Sequence, residues 1–105
     1  MKKFHIALSV ADIGRSVQDY TKRLGQEPTL VIKGTYALWR TEILNFSIRQ
    51  TDQDAGKLRH IGWEDDKAAG FTSDKDVNGV LWEYFSAKDQ AQEIQQIWPR
   101  AADPK

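Results

Sequence analysis

The change of hydrophobic period along the first fifty residues limits the fold of this chain more than any other feature. Phe4, Ile6, Leu8 and Val10 alternate with His5, Ala7 and Ser9, the period of a strand with one buried face. From Asp12 the period lengthens. Ile13, Val17, Tyr20 and Leu24 recur at steps of three and four, one apolar stripe along a helix, with Asp12 as N-cap and Gly25 as the C-terminal stop. Strand character then returns in Thr29–Lys33, Thr35–Arg40 after a turn at Gly34, and Ile43–Arg49. The expected order is β-α-β-β-β, and the fold class expected of the chain is α+β.

The remainder is shorter on regular elements. Thr51–Gly56 is a polar loop, Leu58–Glu64 a strand, and Asp65–Gly70 a connection with room for a short turn of helix. Phe71–Ser73 is expected as a brief strand, Asp74–Gly79 as a turn-rich loop, and Val80–Phe85 as a strand. Ala87–Trp98 reads as a helix through Ala91, Ile94 and Trp98, stopped by Pro99, and Arg100–Lys105 are expected to fray. Both halves open with an apolar strand carrying a central histidine, Phe4-His5-Ile6-Ala7 and Arg59-His60-Ile61-Gly62, a hint of internal duplication.

A chain of 105 residues has room for one core, so residues 1–105 are expected to form a single domain. Fifteen basic and fifteen acidic residues are interspersed and cancel, which argues against a nucleic-acid partner. No apolar run approaches the roughly 20 residues that cross a bilayer, and the short apolar start reads as a strand rather than a leader. The expectation is a protein with no membrane partner and a cytoplasmic setting. With no cysteine there is no disulfide, thiolate ligand or thiol nucleophile.

The chemistry-bearing residues are few. Both histidines sit in strands, and alternation places His5 opposite Phe4 and Ile6, His60 opposite Ile61 and Trp63, and Glu83 opposite Trp82 and Tyr84. If the apolar faces pack on helices, all three polar groups share the other face. Two imidazoles and a carboxylate with open positions suit a divalent ion, Fe, Mn, Zn, Ni or Co, for Lewis-acid or oxygen chemistry. Pattern alone leaves the alternative of satisfied or solvated strand residues open, since the spacing forms no local metal motif. No catalytic residue is identifiable. Glu64, on the face of His60, is a geometric candidate for a base; Arg49 and Arg59 flank the same face as solvated strand ends or partners of an anion. Trp39, Trp63, Trp82 and Trp98 read as core or dimer surface.

Three segments together resemble the vicinal oxygen chelate superfamily, which includes glyoxalase, bleomycin-resistance and extradiol dioxygenase proteins. They are Phe4–Ile13 with Ser16–Tyr20 and Leu24-Gly25, then Leu58–Glu64, then Asp76–Phe85. The resemblance implies paired β-α-β-β-β-like units forming a curved mixed sheet around a cup, with His5, His60 and Glu83 as metal ligands. It implies a metal-dependent enzyme acting on a small-molecule substrate by chelating its oxygens, or, alternatively, a metal-free binding protein of the bleomycin-resistance type. The stretch Lys33–Ile48 is most similar to the cadmium-induced and organoarsenical-lyase branch, whose activity needs a cysteine pair this chain lacks. Two departures stand out. Only 23 residues separate His60 from Glu83, too few for a full second unit. Residues 1–50 are therefore the first module and 57–98 a reduced second one, its C-terminal helix expected to cover the surface a missing helix would cover. Asn45 or Ser47 stands where a fourth ligand, commonly Glu, would project. A reduced unit exposes sheet edges and apolar surface, so a homodimer is expected.

Overall fold

The computed structural model describes residues 2–99; the expected fraying of Arg100–Lys105 lies outside them. The architecture is α+β, one seven-stranded mixed sheet with two helices. In chain order these are β1 (Lys2–Val10), α1 (Ile13–Leu24), β2 (Leu30–Ile32), β3 (Tyr36–Arg40), β4 (Leu44–Gln50), β5 (Leu58–Asp65), β6 (Thr72–Lys75), β7 (Leu81–Phe85) and α2 (Ala87–Ile97). The spatial order is β2-β3-β4-β1-β5-β7-β6. β1 runs parallel to β4, and β5 parallel to β7, while β1 and β5 meet antiparallel at the centre. Each half thus has an opening strand beside a parallel partner, followed by an antiparallel neighbour (β3 or β6). The first half adds α1 and the edge strand β2; the second has no counterpart to either among the described residues.

α1 forms for the reasons read in its sequence. The Asp12 carboxylate accepts from the Arg15 N–H, and Gly25, at φ 70°, closes the helix with its N–H on the Thr21 carbonyl. Its apolar stripe packs on one face of the sheet: Ile13, with Val17, Tyr20 and Leu24, meets Val10, Ala37, Trp39 and Ile48. Trp39 has no exposed surface and donates its indole N–H to the Gln26 carbonyl, so this tryptophan belongs to the core.

α2 departs from expectation. Its N-terminus is set by a capping box between Ser86 and Asp89. Its buried residues, Gln90 and Ile94, pack on the opposite face to α1, where Ile94 joins Leu30, Tyr36 and Leu38. α2 therefore covers the face that carries His5, and does not replace a helix missing from the α1 side. Beneath β5 and β7 that α1 side keeps Trp63, Trp82 and Tyr84 half-buried, with Phe4 edge-on to both indoles. β6 is also longer than expected. It continues through Asp74 and Lys75, which pair with Trp82 and Leu81 in a hairpin closed at Asp76–Gly79. The Asp76 carboxylate accepts from the N–H groups of Asn78 and Val80 and from the Trp82 indole. The connection after β5 is a turn without helix.

Candidate metal centre

The register places the three predicted ligands on one face. His5 pairs with Gly62 across β1 and β5, and Gly62 pairs with Glu83 across β5 and β7, so His5 and Glu83 flank a position with no side chain. His60, opposite Ala7, is one pleat further on. One ligand atom from each of His5, His60 and Glu83 lies within 4.8 Å of the other two. His60 Nε2 stands 2.9 Å from Glu83 Oε1, and His5 Nε2 stands 3.8 Å from the same oxygen. The two imidazole rings are tilted by 33° with centroids 4.9 Å apart.

Gly62 is what lets this row close. A Cβ there would fall 1.9 Å from the Glu83 carbonyl oxygen and 2.7 Å from its backbone nitrogen, so any larger residue forces β5 and β7 apart.

His5 is only 2% exposed, and its environment fixes one tautomer. Nδ1 faces two oxygens, the Asn45 backbone carbonyl at 3.1 Å and the Asn45 Oδ1 at 2.9 Å. A carbonyl can only accept, so Nδ1 carries the proton and Nε2 holds a lone pair. That Nε2 is buried without a hydrogen-bond partner, facing His60 and Glu83. Burial, reinforced by the charge of His60, holds the imidazole below its ordinary pKa, which keeps the lone pair available. A buried nitrogen acceptor with no partner, beside a second imidazole and a carboxylate, fits a divalent cation.

A second layer of side chains holds His5 in place, and most of it is hard to see in sequence. Asn45 Nδ2 donates to Glu64 Oε1 and to Gln90 Oε1, each at 2.7 Å, and Gln90 Nε2 returns a bond to Asn45 Oδ1. Arg40 donates to Glu64 Oε1 through Nε and to Gln90 Oε1 through a terminal nitrogen, both at 2.8 Å. Asn45 therefore occupies no ligand position; it orients a ligand. Glu64 is no free base either, since Arg40 and Asn45 hold one of its oxygens. Ser47 is buried beside Tyr36, whose hydroxyl burial pushes up to about 12 against the opposing Ser47 hydrogen bond. Gln90, from α2, joins that helix to the network. Its spacing of one turn from Ile94 was the available signal.

Partners of this kind typically change metal affinity by 10–100-fold when removed. Asn45→Ala removes the Oδ1 acceptor and leaves only the residue-45 carbonyl to hold the His5 Nδ1–H, so divalent-metal affinity, measured by chelator competition, is expected to fall roughly 10–100-fold.

The triad opens on a cavity of about 180 Å³ between the sheet and α2, walled by Tyr36, Phe85, Ile94 and Trp98, with Arg49, Arg59 and Glu93 on its polar side. A larger hollow of about 600 Å³ lies over β6 and β7, lined by Trp63, Trp82 and Tyr84 with Thr72, Ser73, Asp74 and Asp76. The triad cavity is the one where ligand-type atoms converge. No protein-family model matches the chain, and no curated protein matches it. No described helix is long and apolar enough to cross a membrane.

Proposed function

We propose that this chain is a member of the vicinal oxygen chelate superfamily in which His5, His60 and Glu83 hold one divalent ion, Fe, Mn, Zn, Ni or Co, and that it acts on a small molecule. The observation that carries the reading is the lone pair of His5 Nε2, buried without a partner and facing the other two ligand atoms. The two parallel pairs, β1 with β4 and β5 with β7, support the glyoxalase-type arrangement with a reduced second unit. Bound there, the ion would supply Lewis-acid polarisation of the oxygens of a chelated substrate. The chain's own contribution is placement. Asn45 holds His5 in the ligating tautomer, Gly62 lets Glu83 approach, and α2 with Phe85 and Trp98 limits water and substrate to a small volume.

A second reading, a metal-free binding protein of the bleomycin-resistance type, is favoured by the direct His60–Glu83 contact at 2.9 Å. That contact satisfies the carboxylate without an ion. Metal analysis of protein purified without a chelating tag separates the two. Close to one equivalent per chain is expected, and no uptake of any of the five ions leaves the metal-free reading in its place.

The same proposal makes the protein a homodimer. Trp63, Trp82 and Tyr84 form a half-buried aromatic face that no helix covers among the described residues, beside the edge strand β6. Sedimentation equilibrium is expected to give twice the 12.0 kDa chain mass; a concentration-independent monomer would remove this part of the proposal.

A further inference from the structure

Arg49 and Arg59 reach the triad cavity from different strands, by different routes. Arg49 pairs with Ser9 and with Tyr36, so it shares the face of His5 and Asn45. Its guanidinium lies over the Trp98 ring, 5.2 Å from the centroid, which fixes it against the cavity wall. Arg59 should point to the other face, because His60 points to this one. The pairing of β1 with β5 slips between Ala7 and Leu8, whose partners are His60 and Leu58, and Arg59 is left without a partner in the ladder. A bulge of this kind turns a side chain off its alternation, and Arg59 lines the cavity beside His60.

The two guanidiniums line one cavity, and neither arginine forms an ion pair with a carboxylate among the described residues. The contrast with Arg40 is direct, because Arg40 is bonded to Glu64. Glu83 and Glu93 line the same cavity, but Glu83 is engaged with His60. Two half-buried cations, whose forked donors have no hydrogen-bond partner among the described residues, face one small space beside the unpartnered His5 Nε2. Solvated strand ends would show neither the slip in register nor the stacking on Trp98.

We propose that this cavity takes a compact carboxylate, its two oxygens received by Arg49 and Arg59 while the rest of the molecule faces His5, His60 and Glu83. Guanidinium donors match a carboxylate through paired parallel hydrogen bonds. The volume, about 180 Å³, is small beside the roughly 300–1,000 Å³ of common ligand pockets, which favours a short-chain acid. The inference rests on the reading of the triad as the functional site, and deepens it by naming the class of molecule.

The probe is glycolate, with ethylene glycol as the equivalent lacking a carboxylate, titrated by calorimetry and by tryptophan emission. Both metal-free and metal-loaded protein are used, and metal content is measured on every sample. Glycolate is expected to bind saturably to both forms and perturb the emission of Trp98, an effect lost in Trp98→Phe, while ethylene glycol does not bind. In Arg49→Gln/Arg59→Gln the glycolate affinity is expected to fall about tenfold or more, with metal content unchanged. Arg59→Lys keeps the charge but loses the fork, and is expected to fall between. If the double variant does not fold, Arg49→Gln alone, at a half-buried position, carries the comparison. Equal affinity in wild type and variant, or no preference for glycolate over ethylene glycol, overturns the proposal. Arginine-dependent binding without metal uptake removes the metal reading and keeps this one. Metal uptake with glycolate binding indifferent to the arginines does the reverse.

Discussion

Glu83→Ala is expected to lower divalent-metal affinity by well over a hundredfold, beyond the loss of any supporting residue. The reason is charge. Glu83 is the one anionic member of the triad, and its oxygen is the point nearest both imidazoles, 2.9 Å from His60 and 3.8 Å from His5. His5→Ala is expected to act as strongly for a different reason, since it removes the one ligand whose lone pair has no other use in the fold. Chelator competition followed by elemental analysis measures both. Glu83→Gln makes the comparison sharper, because it keeps the shape and one acceptor oxygen while removing the charge. If either alanine variant retains stoichiometric metal, the ion is held elsewhere.

Gly62→Ala is expected to be the most destabilising single methyl in the chain. The added carbon would sit 1.9 Å from the Glu83 carbonyl oxygen and 2.8 Å from its carbonyl carbon. Both are backbone atoms of a paired strand, so relief requires separating β5 from β7 rather than turning a side chain. Overpacking and broken pairing of this kind belong to the large end of point-mutant effects, about 3 kcal/mol or more. For a chain of this size that corresponds to a fall in Tm of roughly 12–24 °C by calorimetry. Gly70→Ala serves as the control, since a Cβ at Gly70 meets no atom within 4 Å. A shift of only a few degrees for Gly62→Ala would mean that β5 and β7 lie further apart than the geometry here requires.

The parts of the fold legible in the sequence are those fixed by local period. The stripe Ile13, Val17, Tyr20 and Leu24 packs as its spacing requires, and alternation puts His5, His60 and Glu83 on one face. The parts that were not legible depend on partners far along the chain. The stripe on α2 tells which residues it buries and not which face of a sheet receives them; only the pairing of Gln90 with Asn45, 45 residues away, decides that. Glu64 shares a face with His60 by alternation, but Arg40 claims it from the other half of the sheet. Arg59 defies alternation altogether, because a slip in register is a property of two strands and is written in neither.

Asn45 is shared between a helix and an imidazole, so the seating of α2 and the aim of His5 form a single equilibrium. Thermodynamic reciprocity then applies: whatever tightens one must tighten the other by the same factor. Protection of the backbone amides of Ala87–Ile97 from solvent exchange thus becomes a remote gauge of what happens at Nε2.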